Sequence, residues 1–233
     1  RFKDRYLGTY GEISTFSFYF SHHITSGEGG LITCKYYDDY KILLSLRAHG
    51  WSRDLDNLKI KNKPSFYSQF NFINLGYNLR ATDIQAALLL NQIKKIDKFR
   101  VNRNYNFQLF SKLIFQSKIL SKNIITVKSH NLAKISWFGI PIILKDNLIN
   151  FRDKIAMNLT KTGIETRPII SGDFTNQKIF SKYKIFKKNR LKLPSSVIID
   201  KSGFFIGNYS YKMSKNSVKK IIKNFELEIS KYE

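Results

Sequence analysis

Thr15-Phe16-Ser17-Phe18-Tyr19-Phe20-Ser21-His22-His23-Ile24-Thr25-Ser26-Gly27-Glu28-Gly29-Gly30 is the stretch from which the rest of the chain is read. Its first residues alternate in polarity, as a strand does. Two adjacent histidines follow, and the stretch closes on Gly-Glu-Gly-Gly. A strand running into a glycine-rich turn puts backbone and small polar side chains where a ligand can come close. From the residues alone, this is a polar site at the end of a strand.

The 233 residues suffice for one large or two small domains with a real core. Hydrophobic residues make up 42% and aromatics 15%, which places the chain among globular rather than disordered proteins. No apolar run approaches the roughly 18 residues a transmembrane helix needs, so no membrane span is expected. Arg1-Phe2-Lys3-Asp4-Arg5 lacks the apolar core of a signal peptide. The start also lacks an initiator Met and falls straight into strand-like sequence, which reads as a chain whose beginning is missing. A single cysteine, Cys34, excludes an internal disulfide and any zinc or iron–sulfur site built on several Cys ligands. A reducing cytoplasm is the expected location, and no metal site is expected.

The formal charge of +23 would suit nucleic acid or an anionic surface. However, the lysines are scattered, apart from a cluster at 182–192. No helix-turn-helix, zinc-finger or RRM-type motif accompanies them. Lys, Asn, Ile and Phe are abundant throughout, so a biased composition explains the charge better than a nucleic-acid partner does.

Along the chain, residues 31–35 read as a second short strand. Asp38-Asp39 stand before a helix over 40–47, in the acidic first turn that the helix dipole favours. Ala48-His49-Gly50-Trp51 ends that helix on glycine. Residues 52–71 read as a long surface loop. Thr82 is an expected N-cap with Gln85 at the capping-box position. Ile84, Ala87, Leu88, Gln92, Ile93 and Ile96 then recur at helical spacing, and helical character is expected to continue to Phe115. Beyond, 136–144 is strand-like, 147–161 helical, 165–170 a strand and 203–208 a strand between glycines. Ser214 caps a last helix over 218–230, with Val218, Ile221, Ile222, Phe225 and Ile229 on one face. The pattern is α/β followed by α+β, with a helical joint near 95–118.

The opening stretch resembles the cofactor-lysine segment of the DegT/DnrJ/EryC1/StrS sugar aminotransferases. Ser-Phe, a few residues, the cofactor lysine, Thr and Gly-Glu-Gly-Gly form that family's pattern. His22 stands at the lysine position, and the block Ser21-His22-His23-Ile24-Thr25 is similar to the family's sugar 3-dehydratase branch. Leu46-Arg47-Ala48-His49-Gly50-Trp51 and Gly76-Tyr77-Asn78-Leu79-Arg80-Ala81-Thr82-Asp83-Ile84-Gln85-Ala86-Ala87 resemble further family segments. So do Ser136-Trp137-Phe138-Gly139-Ile140-Pro141, Gly163-Ile164-Glu165-Thr166-Arg167-Pro168-Ile169 and Gly203-Phe204-Phe205-Ile206-Gly207-Asn208. One departure is Tyr209, where the branch usually has His. Each motif alone is weak, but in this order they cover most of the chain.

The resemblance implies a pyridoxal-phosphate (PLP) transferase of fold type I, like aspartate aminotransferase. Residues 1–95 would be the C-terminal part of the large cofactor-binding domain, 96–118 a connecting helix and 119–233 the small α+β domain. The family's phosphate cradle, ring-stacking aromatic and pyridine-pairing Asp would lie upstream of residue 1. An imidazole cannot hold PLP covalently, so the implied working form is pyridoxamine phosphate (PMP). His22 would be the catalytic base, since imidazole titrates near neutrality. Ser17 would bind the cofactor phosphate, and Asn78 would reach a partner subunit's cofactor phosphate. His23, Arg80 and Arg167 are candidates for substrate oxyanions or positioning. Trp51, Trp137 and Phe138 read as core.

The implied reaction is loss of the C3 hydroxyl from a nucleotide-linked 4-keto-6-deoxyhexose. An amino donor such as glutamate would regenerate PMP, and a homodimer would share its active sites. The setting would be cell-surface polysaccharide (O-antigen) synthesis. Two alternatives stand beside this one: a sugar aminotransferase of the same family, and a non-catalytic basic protein that binds nucleic acid. The missing motif lysine argues against the first, and salt-sensitive DNA affinity would mark the second.

Overall fold

In the computed structural model, residues 1–53, 55, 70–183 and 193–233 are described. Most of the expected 52–71 loop and of the 182–192 lysine cluster lies outside these residues. The chain divides into two units, Arg1–Ile96 and Asp97–Glu233.

In the first unit, β1 (Ile13–Ser17) and β2 (Gly30–Cys34) pair antiparallel, from Ile13 opposite Cys34 to Ser17 opposite Gly30. The alternating residues therefore make a hairpin whose loop carries both histidines. α1 (Tyr37–Arg47) starts three residues earlier than expected, with Asp38 and Asp39 in its first turn and Arg47 in its last. That arrangement matches the helix dipole at both ends. α2 (Asp83–Ile93) carries the full capping box. The Thr82 hydroxyl accepts from the Gln85 backbone N–H, and the Gln85 side chain accepts from the Thr82 backbone N–H.

One expectation for this region is corrected. Helical character is not continuous to Phe115: α2 closes at Lys94 and α3 (Ile96–Gln116) starts anew. The apolar positions of α2 are also not buried. None of its residues is buried, and Ile84 is 76% exposed.

The second unit is built on a four-stranded antiparallel sheet in the order β3-β4-β6-β5. The strands are β3 (Ile124–Ile125), β4 (Gly139–Leu144), β5 (Thr166–Pro168) and β6 (Gly203–Gly207). Strand alternation turns Ile140, Ile142 and Leu144 of β4 and Phe204 and Ile206 of β6 into the core. Against them pack Ile155 and Leu159 of α5 (Arg152–Lys161). Val218, Ile222, Phe225 and Ile229 of α8 (Lys215–Ile229) and Phe110 and Ile114 of α3 join the same core. Ser214 caps α8, its hydroxyl accepting from the Ser217 N–H. Each fully buried Ile or Leu contributes about 1.5–3 kcal/mol on a transfer scale.

The helix expected over 147–161 begins as a 3-10 turn, Asp146–Phe151, and becomes α-helical only at Arg152. The strand expected over 165–170 is short, at Thr166–Pro168. α4 (Lys118–Asn123), α6 (Lys178–Lys182) and α7 (Pro194–Ser202) are additional short helices.

Asn106 fixes the loop after β6. Its amide nitrogen donates to Asn208 Oδ1 and to the Tyr209 and Tyr211 carbonyls, and its oxygen accepts from the Met213 N–H. Asn208 in turn donates to the Arg103 and Trp137 carbonyls. Trp137 stacks on Phe107 at 3.8 Å between ring centroids. Glu228, on α8, is buried beside Lys231, Asn158 and Tyr232. Among the described residues no helix is long and apolar enough to cross a membrane.

Candidate functional site

β1 ends on Ser17, and the chain turns at once. The Phe18 N–H donates to the Gly29 carbonyl, and the Ser26 N–H and Thr25 hydroxyl both donate to the Phe18 carbonyl. These bonds pinch the base of the loop and leave residues 19–23 outside it. Gly27 adopts φ +82 and Gly29 φ +157, which lets the return strand start. Ile24 and Ser26 are buried, whereas Ser17 and His22 are exposed.

His22 Nδ1 lies 3.4 Å from the Ser17 carbonyl oxygen. A carbonyl oxygen can only accept, so in this contact Nδ1 carries the proton. In the neutral tautomer that makes this contact, Nε2 is the basic nitrogen. The Tyr19 ring meets the imidazole edge-on at 5.7 Å. The Ser17 hydroxyl accepts from the Tyr19 N–H at 3.3 Å. The hairpin thus brings Ser17 and His22 together. His23 is half-buried on the same loop.

Asn78 and Arg80 belong to a second segment of the same unit, running along the end of α1. The Tyr77 and Leu79 N–H groups donate to the Leu46 and Arg47 carbonyls, and the His49 N–H donates to the Tyr77 carbonyl. Asn78 pairs with Ala48 in an isolated bridge. Glycine is required where these chains cross. Gly50 has φ +82, and a Cβ there would fall 1.7 Å from the Asn74 carbonyl oxygen; one on Gly76 would fall 2.0 Å from the Gly50 nitrogen.

Arg80 lies over the Trp51 ring at 5.6 Å, joined by Arg53 at 4.0 Å and by His49, whose ring is 4.7 Å away. Trp51 therefore carries an exposed cationic layer that its reading as core did not anticipate. In sequence Trp51 is two residues from Arg53 and 29 from Arg80, a pattern too common to have singled it out. Arg167 lies in the second unit, its guanidinium held by Glu165 Oε1 at 2.9 and 2.7 Å. Exposed pairs of this kind add little to stability.

The chain belongs to the DegT/DnrJ/EryC1/StrS aminotransferase family, whose profile matches residues 1–226. Its fold is accordingly that of the aminotransferase-like PLP-dependent enzymes. Among known proteins it is similar to the GDP-4-keto-6-deoxy-D-mannose 3-dehydratase of Yersinia pseudotuberculosis. The two are 33% identical over 219 residues, covering 92% of this chain and 54% of that protein. The Escherichia coli O55:H7 enzyme of the same name is 32% identical over 216 residues, covering 91% and 54%. A solved structure of the E. coli GDP-4-keto-6-deoxy-D-mannose-3-dehydratase with bound hydrated PLP superposes with a TM-score of 0.82. Its identity is 29%, over 97% of this chain and 57% of that one. The chain thus spans about half the length of the curated relatives it matches.

Proposed function

We propose that this protein is a PMP-dependent nucleotide-sugar 3-dehydratase of fold type I. It removes the C3 hydroxyl of a nucleotide-linked 4-keto-6-deoxyhexose for cell-surface polysaccharide synthesis in the cytoplasm. The observation that carries the reading is His22 at the mouth of the β1–β2 hairpin, in the family's lysine position. Between Lys3 and Lys35 the sequence contains no lysine at all. The hairpin offers a hydroxyl and an imidazole but no amine, a donor set that fits a cofactor held without a covalent bond.

When bound, the cofactor supplies an electron sink. Ser17 would hold its phosphate through the hydroxyl. His22 would act as the base, Nδ1 fixed toward the Ser17 carbonyl and Nε2 taking up the proton whose removal precedes loss of the C3 hydroxyl. Asn78, on its exposed segment, would serve the cofactor phosphate of a partner subunit, so the active unit is a two-fold homodimer. His23, Arg80 and Arg167 are the remaining substrate-side candidates. Residues 1–95 are assigned to the large domain, 96–118 to the connecting helix and 119–233 to the small domain.

The test is direct. The purified protein, with PMP and glutamate, is given a 4-keto-6-deoxy nucleotide sugar such as the GDP-linked mannose derivative, and C3 deoxygenation is followed by mass spectrometry. A C4 amino sugar as the sole product would instead identify an aminotransferase.

A further inference from the structure

α8 turns one face into the core and leaves the other exposed. Lys215, Lys219 and Lys223 follow one another on the exposed face at four-residue steps, and Lys220, also exposed, widens the row. Such steps set side chains along one slowly turning line on a helix. Leu227, 58% exposed, continues the line by a further step. From Lys215 to Leu227 it runs about 18 Å at 1.5 Å per residue. Among the described residues, no ion pair engages any of these four lysines. The wider stretch between Asp200 and Glu226 holds Lys201, Lys212, Lys215, Lys219, Lys220 and Lys223 and no acidic residue.

The stability of α8 does not account for this arrangement. Like charges four residues apart on a helix repel, and Lys215–Lys219 and Lys219–Lys223 are both such pairs. A helix dipole favours acids in the first turn and bases in the last, yet α8 has neither. Lys215, Lys219 and Lys220 stand in its N-terminal half instead, and Glu226 and Glu228 in its C-terminal half. A biased composition supplies lysines but does not sort charges by sign along one helix. An extended anionic surface would relieve the repulsion of the whole row at once.

We infer that the outer face of α8 is a docking surface for an anionic lipid bilayer, with Lys215, Lys219, Lys220 and Lys223 meeting the charged headgroups. Clustered lysines on a helix adsorb to such surfaces electrostatically. Val218, Ile222, Phe225 and Ile229 are buried in the core of the second unit, so no apolar helix face inserts and the binding is peripheral. The loop entering the helix adds two exposed tyrosines, Tyr209 and Tyr211. Tyrosine, an apolar ring with a polar tip, suits the headgroup layer. A polynucleotide suits this face less. Tyr209 and Tyr211 stack on each other at 4.9 Å, and Lys212 lies over Tyr105 at 5.2 Å, so ring faces that bases would need are already covered. The row also has no arginine fork to grip phosphates or base edges, and it ends on an exposed leucine. The inference is independent of the dehydratase reading.

The experiment is co-sedimentation of the purified protein with vesicles of phosphatidylcholine, alone or mixed about 2:1 with phosphatidylserine. It compares the unmutated protein with a variant combining Lys215→Gln, Lys219→Gln and Lys223→Gln. A control combines Lys128→Gln, Lys161→Gln and Lys178→Gln, which removes the same charge from the same unit outside α8. The unmutated protein should bind the mixed vesicles, ignore the neutral ones and be released as salt rises. The α8 variant should bind about a hundredfold more weakly, since each lysine at an anionic surface is worth about fivefold. The control should bind nearly as the unmutated protein does. In thermal melting the α8 variant should be no less stable than the unmutated protein, because it removes repulsion. If the combined variant does not fold, Lys219→Gln alone decides, with a loss of about fivefold expected.

The inference is overturned if the unmutated protein does not bind the mixed vesicles, or binds the neutral ones as tightly. Equal losses in the α8 variant and the control also overturn it, because net charge and not this face would then be the cause. A single-stranded oligonucleotide bound more tightly than the vesicles, and released by the same α8 substitutions, would make a polynucleotide the partner and overturn the bilayer.

Discussion

Gln85 Nε2 donates to the Glu28 main-chain oxygen at 2.9 Å, although the two residues are 57 positions apart. The oxygen of the same side chain accepts from the Thr82 N–H and hydroxyl. One amide therefore closes the first turn of α2 and fastens the Gly-Glu-Gly-Gly turn. Gln85→Ala should lower stability by about 1–2 kcal/mol, from cap and tether together. Gln85→Glu keeps the acceptor at the cap and loses the donor, so it should cost less. Chemical denaturation of the two variants side by side checks the order.

His22→Ala should leave the melting temperature nearly unchanged, because the side chain is exposed. It should reduce C3 deoxygenation on the order of 10²–10⁴-fold, the usual worth of a general base. His22→Lys should also suppress the reaction, since an amine there captures PLP. A His22→Ala protein that dehydrates the sugar at the unmutated rate would make the imidazole a structural residue.

Borohydride reduction of the PLP-loaded protein should leave no cofactor attached to the chain. The hairpin has no amine to hold it. Intact-mass measurement is the readout, and a lysine-linked adduct would contradict the proposed binding mode.

Mixing Asn78→Ala and His22→Ala subunits should restore part of the activity that each variant lacks alone. In a two-fold dimer with shared sites, one of the two composite sites in the mixed dimer carries neither substitution. A verified mixed dimer without activity would count against a shared site.

Glu228 contributes to the pH dependence of the second unit. Burial pushes its carboxyl up, but hydrogen bonds from Lys231 and Asn158, the Lys231 charge and the Tyr232 hydroxyl outweigh burial and hold it below the ordinary carboxylate value. A carboxyl depressed in the folded state binds protons more readily when unfolded. Its contribution is complete above the unfolded pKa of about 4.3 and is lost as pH falls through the lower folded value. Stability measured by denaturation from pH 6 downward should therefore fall less steeply in Glu228→Gln, at the expense of lower stability near neutrality.

The features legible in the sequence were those decided locally. Thr82 and Gln85 specify a capping box within four residues, and the box forms. Ser214 and the 3.6-residue spacing of Val218, Ile222, Phe225 and Ile229 specify α8 and its buried face. What escaped depends on partners distant in sequence. Pro194 at the first turn of α7 begins a nine-residue helix too short for periodicity to reveal. The apolar positions of α2 show helical spacing, yet none is buried, because burial is a property of neighbours and not of spacing. Nothing in the sequence marks Arg103, and only the packing around it buries its side chain. Ser17 and His22 were adjacent enough to be grouped from the motif. The contact of His22 Nδ1 with the Ser17 carbonyl depends on how the fold closes the hairpin.

Asn106 meets three acceptors with its nitrogen and one N–H with its oxygen. Aspartate has the same outline but nothing to donate, so it would set a negative charge against oxygens from Asn208, Tyr209 and Tyr211. Shape and volume would be preserved while every contact of the former nitrogen became repulsive. Hydrolysis of that one amide during ageing of the protein would thus leave residues 208–213 held by the Asn208 and Asn102 side chains and strained at Asn106, a form of damage that a comparison of side-chain sizes would overlook.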